Sequence, residues 1–581
     1  MKLNKSMSVA IAMVTGTALL LTGCGSSSAT PSTSTPSSST PTAGGVINFA
    51  ESPATQLNWF LPIVPSSNDT VNNDQLVVQL YKPMLWLNNN YSINWNSSIA
   101  KNITYNKAGT VYHIFLHKKW LWSNGQPVTS KDVLFSWNVI KAASSPNAPK
   151  PWPFVGAGTG EIPNGIQSVV ANGNYEVTIT LKKPANQQWF IYNGIIQLTP
   201  MPAAVWDIHK NMTKELTYLG ENGANLMFDK VTDGPFVPVS ATPSQSWVIA
   251  PNKNYPGHKS LVKKIVFDYE ASSTAEFAAL KTNQVNLGYL DPSQLGSAPA
   301  LTSQGDKITS AYPFGIFWTE MNMYKGSPYA SIFDHLYVRQ ALQMGLDNAT
   351  IAKDIFKGYA TPIDGPIPTV PATKYLDPSL ATNPYPYNIQ AAMQLLEKHG
   401  WKEVNGVMTK GSQQMKFPMI YVSGATSSTD AAELMQSDWA KMGVDVTLAG
   451  EPFANFISMT SDSTNHTWAL ANGSGWDYNG PGFYPTGGQL FATGAPSGTG
   501  FSNQEEDALI KATHQPYPTE QQTMSVFFKY EDYTAKILPF LWNENYAAIG
   551  VNAPNVHNTV KYADAATSLP QMQYWWVSSG N

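Results

Sequence analysis

The chain has one cysteine, Cys24, and one arginine, Arg339, among its 581 residues. A lone cysteine forms no intrachain disulfide and no thiolate metal cluster. A lone arginine rules out phosphate clamps and arginine fingers that need several guanidinium groups. Charge of either sign is scarce, at 13%, about half of the ~25% usual in soluble domains. The signs nearly cancel, 35 Lys+Arg against 39 Asp+Glu, so the basic stripe of a nucleic-acid binder is missing and no nucleic-acid partner is expected. So few ionisable groups also predict a stability that changes little with pH. Beyond the first residues there is no apolar run of the ~18 residues that a membrane span requires.

Familiar catalytic motifs are missing too. No HExxH, Walker A or nucleophile-elbow sequence occurs. Gly156-Ala157-Gly158 starts like a dinucleotide loop, but Glu161 stands where its last glycine belongs. Ser260 and Lys263 have Ser-x-x-Lys spacing without the partner motifs. His113 and His117 would share one strand face, which reads as a solvent side rather than a metal site. No enzyme activity, metal or cofactor is implied.

What is present begins with an address. Lys2 and Lys5 precede an apolar stretch from about Met7 to Leu21, too short for a permanent anchor helix and suited to a signal peptide over 1–23. It ends in Leu21-Thr22-Gly23-Cys24, which resembles the lipobox of bacterial lipoproteins, where the cysteine receives a diacylglyceryl anchor. Residues 24–45 are almost all Ser, Thr, Pro, Gly and Ala. They bury too little apolar surface to fold and read as a tether. The protein is therefore expected outside the cytoplasm, held to the membrane through lipid on Cys24.

The body mixes strands and helices. The segments 111–117 and 175–181 alternate as strands. Thr129 and Asp132 have capping-box spacing, with Val133, Trp137 and Ile140 on the turns that follow. Asn388 caps a second helix, with Ala392 and Leu396 inward and Gly400 at its end. A third helix should start at Asp430 and Glu433, bury Met435, Trp439 and Met442, stop at Gly443 and give way to a strand at Val444, Val446 and Leu448. Helix–glycine–strand units of this length indicate an α/β architecture.

One segment is more specific. Residues 121–137, from Leu121-Trp122-Ser123-Asn124-Gly125 through Thr129 to Trp137, form a strand, a tight Asn-Gly turn and a capped helix. They resemble the signature of the family 5 solute-binding proteins, the extracytoplasmic receptors of oligopeptide- and dipeptide-type ABC importers. Further matches follow in the family's order. Leu80-Tyr81-Lys82-Pro83-Met84-Leu85 resembles its "YEPL" helix end, and Asp233-Gly234-Pro235-Phe236 its "GTGPF" turn. Asn252-Lys253-Asn254-Tyr255 resembles "RNPxYW", and Phe333 to Ala341 resembles "FxDxxVRQA", with Arg339 where the family keeps its arginine.

The resemblance implies a two-lobed flytrap of periplasmic-binding-protein type II, with an extra domain in the first lobe. Mapped onto this chain, domain I takes 46–90, 200–310 and 545–581, domain II 91–199, and domain III 311–544. Crossings near 310 and 545 would form the hinge. In oligopeptide-binding members an aspartate of domain III pairs with the peptide's α-ammonium group, and Gly475-Trp476-Asp477-Tyr478-Asn479 resembles that segment. Asp477 is thereby the expected anchor, with Trp476, Tyr478 and Asn479 beside it. Asn322 matches an asparagine that follows the crossing, and the loop Ser52, Pro53 and Ala54 is expected to pair with peptide backbone. The chain departs from the family in offering no arginine but Arg339 for a ligand carboxylate. The implied partners are short peptides and a membrane permease, and the protein is expected to be monomeric with a Gram-positive-type envelope. Capture of oligosaccharides, or sensing of peptide signals without transport, is the alternative.

Overall fold

A computed structural model describes residues 40–578 apart from 229, 480–481 and 496–498. The leader, Cys24 and the tether to residue 39 lie outside the described residues. Among those described, no helix is long and apolar enough to cross a membrane.

Three sheets organise the body. A seven-stranded sheet runs in the order Lys307–Ala311, Ala548–Asn552, Leu287–Tyr289, Val46–Ala50, Lys264–Asp268, Ser246–Pro251 and Phe236–Thr242. Val46–Ala50 lies parallel to both neighbours, at the centre of the sheet. Ile47 and Ala50 on that strand are fully buried, as a sheet covered on both faces demands. A four-stranded antiparallel sheet is inserted, in the order Ala100–Tyr105, Val111–Leu116, Glu176–Leu181 and Ile166–Ala171. Tyr112, Ile114 and Leu116 point inward and alternate with half-buried residues, the period-two pattern read from the sequence. The five-stranded sheet has the order Asp445–Glu451, Lys416–Val422, Leu470–Asp477, Gly315–Met321 and Leu541–Trp542.

Among the described residues the chain passes between the seven- and five-stranded sheets twice, at 312–314 and between 542 and 548. The two crossings run side by side, because Ala311 pairs with Ala548 on one side and Trp318 with Trp542 on the other. The seven- and four-stranded sheets form one lobe, and the five-stranded sheet with its helices forms the other.

Local signals set most helix ends. In Ser130–Ala143 the Thr129–Asp132 capping box is closed in both directions, and Val133 and Ile140 are fully buried. Asn388 accepts the Ala391 amide at the start of Ile389–Lys398, and Gly400 follows its end at φ +87°. The third helix differs from expectation. It spans Thr426–Ala440 and so starts four residues before Asp430. Its acidic partner comes from elsewhere in the chain: Ser427 donates to Asp291 Oδ2 through N (3.3 Å) and Oγ (2.7 Å). A carboxylate distant in sequence thus fills the first-turn role that Asp430 was expected to fill.

Arg339 is a structural residue, only 4% exposed. Its guanidinium donates to the carbonyls of Phe333, Asp334 and Ile537, tying the helix Leu336–Met344 to the last turn of Glu520–Ile537. Four of its five N–H donors are spent on these carbonyls, and burial keeps it from a ligand carboxylate.

Candidate ligand site

The strand Leu470–Asp477 delivers Asp477 to the end of the five-stranded sheet nearest the crossings, opposite Gly315. A Cβ at position 315 would stand 2.4 Å from Asp477 Oδ1, so only glycine leaves the carboxylate its place. Ser568 Oγ donates to Asp477 Oδ2 at 2.6 Å. Burial pushes the Asp477 carboxyl up to about 6, against the Ser568 hydrogen bond, which lowers it. The group stays largely ionised at neutral pH.

Alternation along the strand sends Trp476 and Asp477 to opposite faces. Trp476 is 8% exposed, and Tyr478 is fully buried with its hydroxyl donating to Pro366 O. Both belong to the core, contrary to the expectation that they flank the ligand. Asn479 does reach the site, donating through Nδ2 to Thr567 O at 2.9 Å. Asn322 does not. It lies just past the far end of Gly315–Met321, fully buried, with Nδ2 donating to the carbonyls of Asn465 and Trp468.

Ser52, Pro53 and Ala54 are also elsewhere. The amides of Glu51 and Ala54 are already taken by Asp268 O and Glu270 O, and proline has none, so three of the four amides of this loop are closed to an added strand. It abuts the other lobe at Gly424 instead, where Ser273 N also donates to Gly424 O at 2.9 Å. Lobe contact recurs on the inserted domain. There Asn193 exchanges two hydrogen bonds with the Tyr484 backbone, and Trp189 stacks on His514 with centroids 3.7 Å apart.

Beside Asp477 lies a cavity of about 140 Å³, room for several waters or one side chain. Its wall includes Asp69, Asp74, Gln197, Asn479, Phe483 and Leu569. Thr567 and Leu569, which flank the serine on Asp477, both line it. Phe483 packs on Tyr91, which packs on Phe314, giving an aromatic floor. Asp74 sits in the first turn of Val71–Leu80, whose N-cap is Thr70, and Asp69 directly precedes that cap. Burial raises both carboxyls, and their mutual repulsion and the Asp477 charge raise Asp74 further. None of these wall residues except Asn479 was singled out from the sequence. Asp69 and Asp74 look like ordinary helix-start residues until the fold places them against a cavity.

The family model described as "Bacterial extracellular solute-binding proteins, family 5 Middle" matches residues 94–492. The chain belongs to this family. It is a solute-binding protein of the ABC-importer type, works outside the cytoplasm, and binds rather than transforms its ligand. Relatives include the nickel-binding periplasmic protein of Escherichia coli K12, 23% identical over 91% of this chain and 95% of that one. The oligopeptide-binding protein OppA of Lactococcus lactis subsp. cremoris is 24% identical over 80% and 79%. Among solved structures, the oligopeptide-binding protein AppA of Bacillus subtilis, in complex with a nonapeptide, superposes with a TM-score of 0.79 at 18% identity, covering 93% of this chain and all of that one. The fold of this solute-binding protein is the two-lobed type II flytrap.

Proposed function

We propose that this solute-binding protein captures short peptides between its lobes, holding the α-ammonium group on Asp477, and passes them to a membrane permease. The observation that carries this reading is the Asp477 carboxylate itself. It is buried, has neighbours in Asn479, Thr567 and Leu569 that line the cavity, and is met by a hydroxyl donor rather than a cation. An ammonium replacing Ser568 Oγ would supply the missing positive charge, and a charge-assisted hydrogen bond is stronger than a neutral one. Oligopeptide receptors of the same fold are the context for this choice. Attachment through lipid on Cys24, action as a monomer and the domain limits given above complete the proposal.

The oligosaccharide alternative draws less support, because the tryptophans that would stack on sugars are mostly sealed in the core, among them Trp59, Trp120, Trp206, Trp439 and Trp468. Nickel capture has no visible ligand set: no group of three or more His, Cys, Asp or Glu side chains is placed to hold a metal among the described residues.

Calorimetry of the mature protein with a mixed tripeptide pool, and with cello- and xylo-oligosaccharides alongside, tests the proposal. Heat of binding is expected from the peptides only. Asp477→Asn should weaken peptide binding about tenfold or more, ~1.4 kcal/mol. An unchanged affinity would remove Asp477 as the anchor.

A further inference from the structure

The cavity next to the anchor has an excess of acceptors. Asp69 and Asp74 both face it, and among the described residues no lysine, arginine or histidine is in its wall. Neither carboxylate has an ionic or side-chain hydrogen-bond partner among the described residues. Gln197 lines the same cavity at 7% exposure, and its Oε1 has no partner, while its Nε2 is spent on the carbonyls of Asn193 and Thr159. A buried acceptor without a donor costs about 1–3 kcal/mol. Paired carboxylates without a counter-ion cost more as their charges approach. The helix dipole accounts for one acid in the first turn of Val71–Leu80. It accounts neither for the second acid nor for the orphaned amide oxygen of Gln197.

We propose that this cavity is a second cation site, taking the basic side chain of a lysine or arginine at the first position of a bound peptide. The inference rests on the peptide reading. With the α-ammonium on Asp477, the first side chain leaves toward the wall formed by Asn479, Thr567 and Leu569. Val64, Val77 and Phe154 offer apolar surface to its methylene stem, and Phe483 a ring face. Asp69, Asp74 and Gln197 Oε1 then receive the charged head. A guanidinium or ammonium there meets both charge and hydrogen-bonding needs, which a neutral side chain does not.

The test is calorimetric titration of the mature protein with Lys-Ala-Ala, Ala-Ala-Ala and the diamine cadaverine, repeated on Asp74→Asn and Asp69→Asn. Lys-Ala-Ala should bind about tenfold tighter than Ala-Ala-Ala, and each variant should bring that ratio below about threefold. Near-UV circular dichroism confirms that each variant is folded, and two separate variants keep the test open if one does not fold. Equal affinities in the parent protein, or a ratio that survives both substitutions, would overturn the cation site while leaving peptide capture intact. Cadaverine binding that depends on Asp74, with neither peptide bound, would keep the site and overturn the peptide reading. No binding of any of the three overturns both.

Discussion

The folded protein is expected to melt several degrees higher at about pH 5 than at about pH 8. The reason lies in carboxylates buried without cations. Burial pushes Glu51, Glu506 and Glu544 up to about 8 and Glu531 up to about 9. Hydrogen bonds from Asn72, Thr534 and the Asp377 amide offset only part of this in Glu51, Glu506 and Glu531 respectively. An unfolded glutamate titrates near ~4.3. Between that value and the folded ones the native chain holds more protons than the unfolded chain. Stability therefore falls as pH rises through this window and returns as pH falls.

Several groups act in the opposite sense, Lys82 and His514 most strongly. Burial lowers Lys82 to about 7, so its penalty eases as pH rises from there toward the ordinary lysine range. Burial also lowers His514 to about 3, so it withdraws stability as pH drops below about 6.5. Burial lowers His117, His258 and His557 in the same direction, but the raised acids, Asp69, Asp233 and Glu320 among them, outnumber the lowered histidines and place the maximum near about pH 5. At ~1.4 kcal/mol per unit, even a small part of these shifts adds up to several kcal/mol. Melting curves across pH at constant ionic strength decide the matter. A midpoint that is flat, or lower at the acid end, contradicts it.

Alanine at Gly424 should weaken ligand binding by about tenfold or more. Gly424 has φ +106°, and a Cβ there would stand 2.7 Å from Ala54 Cβ and 3.0 Å from Pro53 O in the other lobe. Just after it, Thr426 N donates to Ser273 Oγ at 3.3 Å, and Ser427 grips Asp291. These contacts form a clasp between the lobes. Backbone strain at position 424 is present whether the lobes are apart or together and shows up in stability. The collision with Ala54 exists only when they meet, so it acts on closure and hence on affinity. Calorimetry with the best peptide of the pool, paired with small-angle scattering, reads both effects. Unchanged affinity together with an unchanged scattering curve in the presence of peptide would show that the clasp plays no part in closure.

Much of the fold was legible because its signals are local. Thr129 and Asp132 announce a helix start whatever surrounds them, and alternation at 111–116 needs only one buried face. The start of Thr426–Ala440 was not legible, since its partner Asp291 lies 136 residues away. At the site, the Asp-Tyr-Asn segment pointed to Asp477 and Asn479. The same segment misled on Trp476 and Tyr478, because neighbours on a strand face opposite ways. Asn322 was placed by motif alone, and its amide proves to be spent inside the core. The low charge count suggested indifference to pH. It counted groups without saying that the few acids present would be sealed away from water and from lysines, which only packing decides.

The single, buried arginine gives the chain a built-in reporter. An arginine-specific protease has one target in all 581 residues, Arg339, and that target is held inside the second lobe by carbonyls of two helices. Cutting at that bond must wait for the lobe to open, so its rate measures how often the lobe unfolds, with no label introduced. Ligand that stabilises the closed molecule would slow the cut in proportion, turning a structural rivet into a readout of occupancy.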